Sequence, residues 1–397
     1  MPKITCDQQF KTSMPTLFLQ ILIIFGGATL LASCTLFKPR EAGFGNPIEW
    51  ESISGWEQDN HAEAWPALQN NCKALANNPA WPLWAEICNA VAAIDALGQP
   101  DNAEARNFFE TWFVPRPLYA EGGKQHGLIT GYYEPLLFGS KIADARFRYP
   151  IYQQPESLLT IDLGSLYPAL KNKRVRGRRV GNTIVPFYSR EEIETNRDLL
   201  SGQELFWLDD RDAVFFLHIQ GSGRVQLSDD ETIGVGYSNQ NGHPYVAIGR
   251  ILLEQGELNR EEISLFTIRQ WLQDYPEKAV NLLNENPSYV FFALRESTEN
   301  GPVGSLNTPL TAERSLAIDP KLVKLGTPIW LATNYPGQPD RDYLRLVFAQ
   351  DTGGAIKGVL RADLFWGHGD YAERSAGNMK EQGSLIVLLP KSHKPED

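Results

Sequence analysis

The sequence predicts a mainly β chain with helices on its N-terminal side and at its centre, and three observations carry that prediction. After Pro115 the chain breaks into short apolar runs rich in Val, Ile, Phe and Tyr, punctuated by glycine and proline, the texture of a β-barrel or compact sheet domain. Apolar residues recur at helical spacing before Pro115 and again between His243 and Pro276. No repeat or low-complexity linker divides these regions, so one domain is expected to be inserted within another, with the N-terminal helices and the C-terminal strands belonging together.

The first 33 residues read as an export signal. Lys3 and Lys11 precede LFLQILIIFGGATLLAS, which ends in small residues before Cys34. This is a lipoprotein cleavage box: cutting before Cys34 leaves a lipidated N-terminal cysteine. An uncleaved anchor fits less well, because a bilayer span needs about 20 residues. Thr35 stands where an inner-membrane retention signal carries aspartate, so the expected address is the periplasmic face of the outer membrane.

Of four cysteines, Cys6 leaves with the signal and Cys34 carries the lipid. An oxidising compartment favours pairing of the remaining Cys72 and Cys88, a disulfide the sequence leaves open. Neither CxxC nor HExxH spacing occurs, so no metal motif or cofactor is expected. A formal charge of −11 argues against a nucleic-acid or anionic-membrane binder. The basic run Lys171 to Arg179 is the local exception, read as a solvated loop or as a contact for acidic peptide or sugar groups.

Residues 45–113 are expected to be helical, with Asp101 capping a helix through Glu104 and with Ala105, Phe108, Phe109 and Trp112 on its core face. Strands are expected in GLITGYYEPLLFGS, FRYPIYQQP, GRRVGNTIVPFYS and AVFFLHIQGSGRVQLS. Helices follow in HPYVAIGRILLEQGEL and in SLFTIRQWLQDYP, which Pro276 is expected to close, and strands resume from NPSYVFFAL to GSLIVLLP.

Asp319, Asp351 and Asp363 each end an apolar run beside a turn residue. Singly, each reads as a turn-former bonded to nearby backbone N–H groups. Together they raise a catalytic reading, since a carboxyl partly buried among apolar side chains holds its proton to higher pH and can give it to a leaving oxygen. A Ca²⁺ or Mg²⁺ site built from the three is an alternative. The glycines of GGAIKG, Gly353 to Gly358, lack the P-loop ending and suggest a hairpin or a close backbone approach to a bulky ligand. Lys357 in that stretch is either an exposed turn lysine or a contact for a carboxylate or sugar hydroxyl. Tyr132, Tyr133 and Glu134, with Gln220, Ser222 and Trp366, suit a sugar groove, although singly such residues also serve packing.

GYYEP, HIQGSGRVQL, VGYSNQNGHPYVAIGRILLEQGEL, NPSYVFF and, above all, AIDP, DTGGAIKG and RADLFWGHG resemble the membrane-bound lytic murein transglycosylase A family from Gly127 to Pro390. The last three motifs match that family's C-terminal three-aspartate domain. The resemblance implies cleavage of the β-1,4 bond between N-acetylmuramic acid and N-acetylglucosamine, leaving 1,6-anhydro ends, in cell-wall turnover. It also implies a double-psi β-barrel, residues 34–136 plus 288–397, with a second β-barrel, residues 137–287, inserted and a groove between them. Carried onto this chain, it makes Asp363 the general acid/base, Asp351 its neighbour and Asp319 a supporting carboxylate. Tyr132, Tyr133, Glu134, Gln220, Ser222, Lys357 and Trp366 fall to the substrate groove. The partners implied are glycan strands, a membrane through Cys34, and complexes for cell-wall synthesis or hydrolysis. One working carboxylate suffices if the C6 hydroxyl of the muramic acid replaces water as nucleophile. A lysozyme-type hydrolase, which needs two carboxyl groups, and a non-catalytic cell-wall binder are the rival readings.

Overall fold

The computed structural model describes residues 41–171, 175–227, 231–295 and 301–392; the export segment, Cys34 and residues 172–174 of the basic run lie outside them. Strand β1 (Gly43–Phe44) is followed by helices α1 (Trp65–Leu75), α2 (Trp81–Asp95) and α3 (Asn102–Trp112). Pro66 and Pro82 open α1 and α2, where a missing N–H costs nothing. Asp101 and Glu104 form the expected capping box, and Ala105, Phe108 and Phe109 are buried, as core residues and not a ligand platform. A disulfide joins Cys72 of α1 to Cys88 of α2.

Strands β2 (Phe113–Tyr119), β3 (Gly127–Glu134), β4 (Leu136–Ser140), β5 (Tyr149–Tyr152), β6 (Leu159–Ile161), β7 (Val175–Val180) and β8 (Thr183–Val185) come next. Helix α4 (Arg190–Thr195), β9 (Glu204–Leu208), α5 (Arg211–Gln220), β10 (Ser222–Gln226) and β11 (Thr232–Gln240) follow. Then come α6 (Ile248–Glu254), α7 (Leu265–Asp274), α8 (Pro276–Asn284) and β12 (Val290–Leu294). The chain closes with β13 (Ser315–Ile318), β14 (Pro328–Tyr335), β15 (Gln338–Asp351), β16 (Ala362–His368), α9 (Asp370–Asn378) and β17 (Lys380–Pro390).

One expectation is corrected here. AVFFLHIQ is helical, not a strand: Asp210 accepts from the N–H groups of Asp212 and Ala213, and Gly221 at φ 78° ends the helix. Five consecutive residues, Val214 to His218, are buried, so the segment shows no polar stripe by which its helical period could be read. Helix α7 ends before Pro276 as expected, and Pro276 starts α8 at once. Strand β12 pairs with β11, so the sheet of the inserted segment extends past residue 287.

The eight-stranded sheet runs β1-β2-β17-β14-β15-β13-β16-β3, and β17 also pairs with β3. Six strands therefore close a ring whose interior holds Ile129, Leu316, Ile318, Ile329, Leu331, Val347, Ala362, Leu364, Leu385 and Val387. Helices α1 to α3 cover one outer side of this barrel through Trp65, Leu68, Phe109, Trp330, Leu346 and Phe348. The segment between β3 and β13 makes a six-stranded sheet, β12-β11-β10-β4-β9-β5, and a three-stranded one, β6-β7-β8.

An ion pair locks the N-terminal layer to the barrel. Arg314 donates to both oxygens of Asp59, at 2.7 and 2.9 Å, and the Leu346 N–H donates to Asp59 at 2.9 Å. Burial pushes the Asp59 pKa up, but the hydrogen bonds and charge of Arg314 outweigh it and hold the carboxyl below its ordinary value. Stability from this pair is therefore full above the unfolded-state value of about 3.9 and is lost as pH falls through the depressed folded value. Asp59→Asn removes the buried partner of Arg314 and leaves it the exposed Glu63 and two backbone carbonyls, an expected loss of about 3 kcal/mol in urea unfolding. The acid-side decline of the urea midpoint should be shallower in that variant than in the wild type.

Candidate active site

Side chains alternate along β3 and β16: Ile129 and Tyr133, like Ala362 and Leu364, point into the barrel. Thr130, Tyr132 and Glu134, and with them Asp363 and Phe365, therefore emerge on the outer face. Registers align four of these strands across that face. Thr130 pairs with Asp363, Asp363 with Ala317, and Ala317 with Asp351. Two carboxylates thus flank one methyl group, on strands two spacings, roughly 10 Å, apart.

Asp351 owes its place to a bulge. Leu316 pairs with Ala349, yet Ala317 pairs with Asp351, so β15 carries one extra residue, Gln350. Without it, alternation would send Asp351 into the barrel beside Ala349. Gln350 is fully buried. It accepts from the Ser315 hydroxyl at 2.5 Å and donates to the Ala67 carbonyl at 2.9 Å and to Asn71 Oδ1 at 2.7 Å. Helix α1 therefore pins the bulge from behind.

The two carboxylates differ in what surrounds them. Asp351 is fully engaged: Tyr132 OH donates to Oδ2 at 2.9 Å, while the Ser305 N–H and hydroxyl each donate to Oδ1 at 2.9 Å. Asp363 accepts one hydrogen bond, from the Thr130 hydroxyl to Oδ1 at 2.5 Å. Burial pushes the Asp363 pKa up; the Thr130 bond and the charge of Arg361 oppose that, and the charge of Asp351 adds to it. Burial also raises Asp351, against its hydrogen bonds. Both side chains nevertheless keep some solvent contact. The arrangement supplies a carboxyl able to hold a proton, open to an incoming oxygen, beside a carboxylate that is already occupied.

Loop 352–361 is not a hairpin turn. β15 and β16 lie on opposite sides of β13, so GGAIKG crosses over that strand. Gly358 takes φ 106°, and Asp319 fastens the crossing by accepting from the Gly358 N–H at 2.9 Å and the Lys321 N–H at 3.3 Å. Burial raises the Asp319 pKa, but those bonds and the charges of Lys357 and Lys321 prevail and lower it. Asp319 therefore braces the loop, and Lys357 is exposed beside it. Among the described residues, no group of three or more His, Cys, Asp or Glu side chains converges as a metal site.

Of the expected groove residues, Tyr132 reaches the carboxylates. Tyr133 and Trp366 instead point into the barrel core, Tyr133 donating to Glu373 at 2.9 Å and Trp366 contacting Met379 Sδ at 3.3 Å. Glu134 is buried between Arg224, at 2.8 Å, and Arg295. Gln220 accepts from the Tyr133 N–H at 3.0 Å, and Ser222 is buried at the start of β10. Thr130, Ser305, Ala317 and Gln350 were not singled out by the sequence; for Thr130 and Gln350 the alternation beside Tyr132 and the position next to Asp351 were available signals. Tyr245, half-exposed on the inserted segment, is a further addition. Burial raises its hydroxyl pKa, with the nearby charges of Arg190 lowering it and Asp363 raising it.

Such a β-rich fold, a closed barrel with a second β segment inserted between β3 and β13, is shared with solved lytic transglycosylases. Residues 128–293 match the model described as the MltA specific insert domain, and residues 314–389 match the 3D domain. The membrane-bound lytic murein transglycosylase A of Vibrio cholerae is 33% identical over 278 residues, 67% of each chain, and that of Escherichia coli K12 is 31% identical over 277 residues, 68% of this chain and 67% of the relative. A solved membrane-bound lytic murein transglycosylase from Agrobacterium tumefaciens superposes with a TM-score of 0.76 at 30% identity, covering 88% of this chain and 98% of its own. MltA from Neisseria gonorrhoeae gives 0.75 at 32%, covering 90% and 99%. The chain belongs to the membrane-bound lytic murein transglycosylase A family.

Two outcomes follow from this geometry. Ala317→Val places two methyls between the carboxylates and is expected to lower kcat roughly 100-fold, the cost of about 1 Å of misplacement, with an unfolding midpoint close to wild type. Thr130→Val removes the bond that favours ionised Asp363, so the alkaline limb of the kcat/KM profile should move to higher pH.

Proposed function

We propose that Asp363 is the single acid/base residue of a peptidoglycan lytic transglycosylase. The protonated carboxyl gives its proton to the glycosidic oxygen between N-acetylmuramic acid and N-acetylglucosamine as that bond breaks. An oxocarbenium-like state forms at C1. The resulting Asp363 carboxylate then takes the proton of the muramic acid C6 hydroxyl as its oxygen closes on C1, giving the 1,6-anhydro end without water. Intramolecular attack avoids the entropic cost of recruiting a second nucleophile. The observation that carries this reading is the occupancy of Asp351: three donors already use its oxygens, which disfavours the second carboxylate role a hydrolase requires. Asp351 instead raises the proton affinity of Asp363 through its charge.

Residues 34–136 and 288–397 are assigned to the catalytic domain and 137–287 to the substrate-binding insert, with β12 added to the insert by its pairing. Relatives described as membrane-bound support membrane association of this chain. Lipidation at Cys34 and the periplasmic face of the outer membrane are the address this reading assigns. Glycan strands of peptidoglycan are the substrate, and assembly with other cell-wall enzymes is part of the same reading.

Asp363→Asn should lower the yield of anhydro-muropeptides from isolated sacculi by about 10³-fold or more, within the range of general acid catalysis. Mass spectrometry of the wild-type digest should show products one water lighter than hydrolytic ones. Hydrated reducing ends, or turnover by the asparagine variant at the wild-type rate, would refute the assignment.

A further inference from the structure

The outer face that carries Thr130 and Tyr132 continues along β3 to Glu134, where the barrel strand passes into the inserted sheet. Glu134 is fully enclosed and is shared by two arginines. Arg224 Nε donates to Oε2 at 2.8 Å, and Arg295 Nη2 donates to Oε1. Arg295 lies over Gly234, where a Cβ would meet its Nε at 2.6 Å and the guanidinium would have to shift. Among the described residues, the Nε and Nη1 atoms of Arg295 have no acceptor, although the side chain is only 10% exposed. Two guanidinium groups facing one carboxylate leave a net positive charge. A purely structural pairing would be expected to balance, since an enclosed guanidinium N–H without a partner costs about 1–3 kcal/mol.

Arg224 is the more open of the two, its side chain 16% exposed, and it pairs in register with Leu136 on β4. Leu136 and Phe138 are half-exposed on the same strand edge. The chemistry is a fixed cation with an apolar shoulder, tied through Glu134 to the strand that carries Thr130 and Tyr132. We propose that Arg224 and Arg295 form an anion subsite of the groove that takes a carboxylate of the peptide stems borne by murein strands. The inference rests on the murein reading above and adds a stem-recognising function to it. Arg224 makes the contact, Glu134 orients both guanidinium groups, and Arg295 supplies the uncompensated charge behind them.

The test measures binding by calorimetry to the full chain carrying Asp363→Asn. Three glycan ligands are compared: stems with free carboxylates, the same stems amidated, and strands stripped of stems. Free-carboxylate stems are expected to bind roughly tenfold more tightly than amidated ones, the scale of one charge-assisted hydrogen bond. Arg224→Gln and Arg295→Gln should each bring that ratio toward one, with Arg295→Lys retaining part of it. Glu134→Gln removes the compensating charge, keeps one amide oxygen as acceptor for a guanidinium and leaves both arginines in the sequence; it should enlarge the ratio, which keeps the test decisive if an arginine variant unfolds. Equal affinity for free and amidated stems, or a ratio that Glu134→Gln diminishes, overturns the subsite. A wild-type chain that yields no anhydro product while the ratio holds refutes the lytic reading alone; anhydro product without the ratio refutes the subsite alone.

Discussion

One extra residue in β15 is the constraint on which the site depends. The strand pattern of a barrel allots alternate side chains to inside and outside, and by that rule Asp351 belongs among Val347 and Ala349 in the core. Gln350 breaks the rule, and the break is held by three side-chain hydrogen bonds reaching Ser315, Ala67 and Asn71. The N-terminal helices are thus more than a cover for apolar surface. They supply the polar groups that keep an amide buried and satisfied, and through it they set which way a carboxylate faces. The Asp59–Arg314 pair performs a related task nearby, fixing the same layer to the strand end that leads into β13.

Electrostatically, the site separates two like groups by hydrogen bonding. Asp351 takes three donors and Asp363 one, so their environments diverge although they share a face and a spacer. The occupied member raises the proton affinity of the open one. Burial raises both carboxyls, and hydrogen bonding opposes that rise at more points in Asp351 than in Asp363.

Much of this was legible in the sequence, and the reasons for the rest are physical. The helical N-terminus, the capping box at Asp101, the run of short strands and the insertion all followed from periodicity and punctuation. The register shift at Gln350 could not, because nothing in AQDTGG distinguishes a bulged residue from a paired one. GGAIKG looked like a hairpin because glycine permits a tight turn as well as a long crossing, and only the pairing of β13 with both neighbours separates the two. Tyr133 and Trp366 were grouped with Tyr132 as sugar platforms; alternation places them on the other side of their strands. AVFFLHIQ, buried on nearly every side, carried no period to read.

Closure of the barrel has a consequence for timing. Strand β17 closes the ring by pairing with Ile329 to Ala332 on β14 and with Gly127 to Thr130 on β3, the latter 250 or more positions earlier. Thr130, the donor to Asp363, is itself paired with Lys380. The candidate site residues, the last of them Trp366, all precede β17 in the chain, and the last strand must arrive to seat the first. Long-range pairing of this kind is slow and all-or-none. Assembly of the carboxylate face therefore waits on the last strand of the chain.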